Sequence, residues 1–229
     1  MEGFDASSPL WVWIVRLPPL IFAITVHEVA HGLVAKRLGD PTAAEAGRLT
    51  LNPIKHIDPI GTIVVPIVLY IFSPIIMGWA KPVPVTFSRL NNPKRDMILV
   101  AAAGPGSNLG MATIWSGVIW LLAHSYIPLD GVAGELLYQM AFFGIVVNVF
   151  LAVFNMFPIP PLDGGRVLSG LLPDPASRVL DRIEPFGILI VVGLLLADFY
   201  TSLDIFVPYL LVPVSNLVGF FMELAGVPY

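Results

Sequence analysis

LPPLIFAITVHEVAHGLVAKR, residues 17–37, carries the reading of the whole chain. It is long enough to cross a bilayer as a helix, opens on Pro18-Pro19 and closes on Lys36-Arg37. Its middle holds His27, Glu28 and His31. A charged group near the centre of a span costs at least about 2.5 to 3.5 kcal/mol, so three such side chains in close succession require compensation. Snorkelling does not supply it, because His27 lies roughly 15 Å along a helix from Lys36. On a helix, positions four apart share one face, so His27 and His31 can bind one metal ion with Glu28 beside them. The glutamate is then placed to take a proton from a water that the metal acidifies and to deliver it to a leaving amine.

The rest of the chain fits a bilayer as solvent. Of 229 residues, 56% are hydrophobic and 12% charged, about half the charged share of an ordinary soluble domain. At roughly 20 residues per span there is room for about five or six membrane helices and no large soluble domain. A single membrane-embedded unit, residues 1–229, is expected. The net charge of -4 and the 12 scattered Lys and Arg exclude a nucleic-acid surface. With no cysteine, a metal site must draw on His, Asp and Glu. The first fifteen residues lack Lys and Arg, unlike the start of a cleavable signal peptide.

After the first helix, residues 38–58 are rich in turn formers. Short interfacial β-strands are expected at Arg48–Asn52 and Val83–Phe87, where polar and apolar residues alternate. Residues 61–78 are apolar but broken by Pro66 and Pro74, and 97–123 and 135–157 read as spans. Further helices follow at about 185–200 and 204–224. If 38–96 is anchored inside, every Lys and Arg except Arg16 falls on the cytoplasmic side, which the positive-inside rule favours. That arrangement makes 61–78 re-entrant, since a full span would put one basic cluster outside. A cell-membrane protein with its active site nearer the cytoplasm is expected.

A catalytic zinc takes three protein ligands and keeps one open position. Asp163 is the best third ligand, in NMFPIPPLDGG (residues 155–165), where prolines end one helix and glycines permit a tight turn. A helix N-cap is the alternative role for Asp163. Asn155 and Asn108 could orient substrate or support the transition state, or be buried amides bonded between helices. His56 could approach the site from the inner loop or be an interfacial histidine, and His124 reads as interfacial.

These segments together resemble the site-2 protease family of intramembrane zinc metalloproteases. The resemblance covers about residues 17–185 and rests on three elements in order. The first is His27-Glu28-x-x-His31; the second is Ala103-Gly104-Pro105 with Asn108; the third is Asn155-x-x-Pro158-x-x-x-x-Asp163-Gly164. It implies one Zn2+ held by His27, His31 and Asp163, with Glu28 catalytic. The substrate would be a transmembrane protein cut in or beside its spanning segment, and the lipid bilayer the surrounding partner. The family's strands near the active site suggest that Arg48–Asn52 or Val83–Phe87 could pair with an unwound substrate. No appended peptide-binding or nucleotide-sensing domain is expected. A membrane metal-ion transporter would explain the buried ligands but gives Glu28 no task, and a catalytically inactive binding protein on the same scaffold is the other alternative.

Overall fold

A computed structural model of the chain describes residues 9–65, 67–68, 78–124, 131–201 and 207–228. The described chain is mostly helical: α1 (Pro9–Arg37), α2 (Thr42–Glu45), α3 (Pro93–Ala123), α4 (Val132–Asn155), α5 (Asp163–Leu171), α6 (Asp174–Ile183), α7 (Gly187–Thr201) and α8 (Val207–Leu224). Four of these, α1, α3, α4 and α8, are long and apolar enough to cross a membrane. Five or six spans were expected. Among the described residues, α7 is the expected span that falls short, its 15 residues rising only about 22 Å against a hydrocarbon core of about 30 Å.

Local chemistry sets the helix ends. Lys36 and Arg37 close α1 where positive charge favours the C-terminal dipole. Pro93 opens α3 at a position that needs no N–H donor, and the buried Asp96 reaches back to accept from the Asn92 backbone N–H at 2.8 Å.

Helices α1, α3 and α4 form the centre. Helix α3 runs antiparallel to α1, with Ala23 packed against Met111 at one level and Ala35 against Val100 at the other. Helix α4 runs back parallel to α1: Trp11 donates to Gln139 at 2.7 Å, and Val147 joins Ala23. Helix α8 adds a second layer, burying Leu210, Val214, Val218 and Phe221 against Ala112, Ile119, Ile145 and Val149. It runs in the direction of α3, since Ser116 bonds the Phe221 carbonyl at 2.7 Å and the far end of α8 leads to Gly226 beside the His124 ring.

Neither expected strand forms among the described residues. The backbone of 79–86 bonds to scattered partners instead of to one neighbouring strand. Lys81 N–H donates to the His56 carbonyl at 2.9 Å, Val83 N–H to the Glu28 carboxylate at 2.7 Å and Thr86 N–H to Asp40 at 2.6 Å. The Arg48 side chain donates to the Lys81 carbonyl at 2.7 Å. Of the apolar stretch 61–78, the first turn is a π-helix, Pro59–Val64, capped by the Asp58 carboxylate. Residues 69–77 lie outside the described residues. The chain returns at Trp79, whose N–H donates to the Gly61 carbonyl at 3.0 Å.

Candidate metal centre

Two helical turns and one helix start meet at a point. The i, i+4 spacing puts the His27 and His31 rings on one face of α1, with centroids 4.7 Å apart. Asp163 is the first residue of α5, and its Oδ2 lies 3.2 Å from His27 Nε2 and 3.3 Å from His31 Nε2. The two Nε2 atoms are 3.1 Å apart. Asp163 is not an N-cap: Leu162 holds that position, and no side chain caps the helix.

The outer ring nitrogens fix the protons. His31 Nδ1 sits 2.7 Å from the Val100 carbonyl, which can only accept, so Nδ1 carries the hydrogen and Nε2 the lone pair. His27 Nδ1 sits 2.6 Å from Asn108 Oδ1, which likewise accepts. With both imidazoles neutral, two Nε2 lone pairs and a carboxylate oxygen face one another. Among the described residues, buried Asp163 Oδ2 finds no hydrogen-bond donor. A metal cation at its centre satisfies all three groups of such a triangle at once. Ligands of a tetrahedral zinc bonded at about 2.0–2.1 Å stand about 3.3–3.4 Å apart, close to the observed edges, so the donor set fits zinc.

Glycines let the walls close in. A Cβ on Gly104 would lie 2.3 Å from His31 Nε2 and 2.6 Å from His27 Cε1, so only glycine lets α3 pass this near the imidazoles. At Gly164 a Cβ would meet the Met156 carbonyl oxygen at 2.2 Å, so the start of α5 is held tightly against the end of α4.

The other candidates fall in different places. Glu28 stays outside the ligand triangle, its carboxylate accepting from Val83 N–H at 2.7 Å. Asn108 is fully buried and holds His27 from behind. Asn155 donates to the Leu151 carbonyl of its own helix at 3.0 Å. His56 is buried in the loop, where its Nε2 lies 2.9 Å from the Thr50 carbonyl, and it is not part of the ligand cluster. His124 is exposed and stacks on Trp120. Sequence reasoning missed Val83 N–H, the Val100 carbonyl and Asn148. The first two are backbone groups that every residue carries. Asn148, an amide amid the apolar residues in the middle of α4, did carry a signal.

Comparison with known proteins agrees with this geometry. YwhC of Bacillus subtilis is 37% identical over 86% of this chain and 84% of its own length. Rip2 of Mycolicibacterium smegmatis is 30% identical over 84% and 71%, and MJ0611 of Methanocaldococcus jannaschii is 30% identical over 69% and 71%. All three carry names that place them, provisionally, among zinc metalloproteases. No solved structure gives a significant match. The profile of Peptidase family M50 matches residues 17–197, which span all three motifs and every ligand in the triangle. The chain is a member of peptidase family M50, the site-2 protease family of zinc metalloproteases.

Proposed function

We propose that His27, His31 and Asp163 hold one Zn2+ and that Glu28 performs the acid-base chemistry of peptide hydrolysis. The substrate is another membrane protein, cut in or next to a transmembrane segment. The observation that carries this is the convergence of two imidazole Nε2 atoms and the buried Asp163 Oδ2 at 3.1–3.3 Å from one another. A zinc ion there supplies a Lewis acid that polarises the scissile carbonyl and acidifies water. Glu28 lies one residue from His27 yet outside the ligand set, so its carboxylate is free to take a proton from the attacking water and pass it to the leaving amine. The Val83 N–H fixes one Glu28 oxygen and leaves the other to work. Asn108 and the Val100 carbonyl orient the imidazoles.

The triangle sits among α1, α3 and the start of α5, and α1 and α3 are long and apolar enough to span a bilayer, which suits a substrate that is itself membrane-embedded. In this reading the Lys36-Arg37 end of α1 and the Arg178–Arg182 region face the cytoplasm, and the cell membrane is the location. The return of Trp79 to Gly61 supports a re-entrant course for 61–78. Purified protein in liposomes should cleave at least one single-span substrate, with product masses placing the cut in or beside the apolar segment. Chelation should stop the reaction and Zn2+ restore it. Metal flux across the liposome without any cleavage would instead identify a transporter.

A further inference from the structure

Asn148 touches neither the ligand triangle nor Glu28, yet it is fully buried in α4 and bonded toward the site. Its Nδ2 donates to the Gly144 carbonyl at 2.8 Å, one turn back in its own helix. A backbone carbonyl only accepts, so this contact fixes which end of the Asn148 amide is NH2. Asn148 Oδ1 then faces Asn108 and accepts from its Nδ2 at 2.9 Å. The Asn108 NH2 is pinned there, with the Ala23 carbonyl at 3.4 Å as a longer second acceptor. That leaves Asn108 Oδ1 facing His27 Nδ1 at 2.6 Å. Each link removes the choice at the next, from a main-chain carbonyl of α4 through two amides to a metal ligand on α1.

We infer that Asn148 is a positioning residue for the metal centre: through Asn108 it holds His27 in the Nδ1–H tautomer, which turns the Nε2 lone pair toward Asp163 and His31. The inference rests on the zinc reading above. Without Asn148, the Asn108 amide can rotate and present NH2 to His27 Nδ1. The imidazole proton then moves to Nε2, into the triangle, where it competes with the metal. Partners that orient a ligating histidine typically change metal affinity by about 10–100-fold when removed.

A double-mutant cycle separates this relay from simple packing. Asn148→Leu keeps a side chain of similar size and should weaken zinc binding about 10–100-fold in chelator competition. In an Asn108→Asp background the carboxylate accepts from His27 Nδ1–H whichever way it is turned. There Asn148→Leu should cost little zinc affinity. A direct measurement needs no variant: 15N shifts of His27 in the metal-free wild-type protein should report the Nδ1–H tautomer. An equal loss of zinc affinity in both backgrounds, or an Nε2–H tautomer of His27, overturns the relay while a zinc-binding, cleaving wild type leaves the protease reading intact. A wild type that binds no zinc removes both.

Discussion

Gly104 shows how little space one residue can be given. A single methyl there would press on both imidazoles, at 2.3 Å from His31 Nε2 and 2.6 Å from His27 Cε1. Neither ring can retreat, since each is tied by its other nitrogen to Asn108 or to the Val100 carbonyl. Gly104→Ala is therefore expected to weaken zinc binding by at least about tenfold in chelator competition, on the scale of lost ligand support. Affinity equal to wild type would mean that α3 moves freely against α1. At this scale His27, Glu28 and His31 were legible because helical spacing and charge in an apolar span are properties of sequence. Asp163 was legible as a ligand candidate, but not the fact that it begins α5 instead of capping it. Asn108 was legible as a buried amide bonded between helices, but not its partner: its oxygen faces the back of His27, a contact that depends on how α3 crosses α1.

Among the elements, the extended segment 79–86 departs most from its sequence pattern. Pro82 and Pro84 remove two donors from it, and the N–H groups of Trp79, Lys81, Val83 and Thr86 find two backbone carbonyls and two carboxylates. Alternation of polar and apolar residues could not reveal this, since a ladder needs a neighbouring strand and none is formed among the described residues. Asp40, fully buried, ties the segment to the end of α1, accepting from Thr86 N–H at 2.6 Å and from Thr42 N–H at 3.0 Å and its hydroxyl. Burial pushes the Asp40 carboxyl upward, but the Thr42 hydroxyl, the two backbone donors and Arg89 outweigh it and hold it below its ordinary value. A depressed carboxyl stabilises the fold fully above its unfolded pKa, and the contribution is lost as pH falls through the folded value. Asp40→Asn should lower stability by about 1–3 kcal/mol at neutral pH, the worth of charged hydrogen bonds. The difference in melting temperature should shrink as pH falls below about 4. A difference unchanged from pH 7 to pH 3 would contradict the assignment.

At the scale of the whole molecule, apolar runs located α3, α4 and α8 to within a few residues, because the bilayer imposes one length on each, whereas α1 begins at Pro9, well before the expected Leu17. Their number was harder to read. The stretch near 185–200 is apolar except for Asp198, yet its helix is short, begins against Pro160 and ends near the start of α8, where Asp198 accepts from Val207 N–H at 2.6 Å. With α1, α3, α4 and α8 as the spans, and α8 running with α3, the inside-outside pattern of Lys and Arg can be tested by labelling single cysteines in this cysteine-free chain. Cysteine at Ser88 or Ser177 should be protected from an impermeant external reagent, and one at Ala133 should react. External labelling at Ser88 would reverse the orientation. The central claim, that Glu28 turns a zinc site into a protease, is tested most directly by Glu28→Gln, measured for metal and for cleavage in one preparation. Zinc should remain at one per chain, while hydrolysis of a single-span substrate falls by on the order of 10²-fold or more, as expected for loss of positioned acid-base chemistry. Near wild-type hydrolysis by the zinc-loaded variant, beside an inactive His27→Ala control, would contradict it.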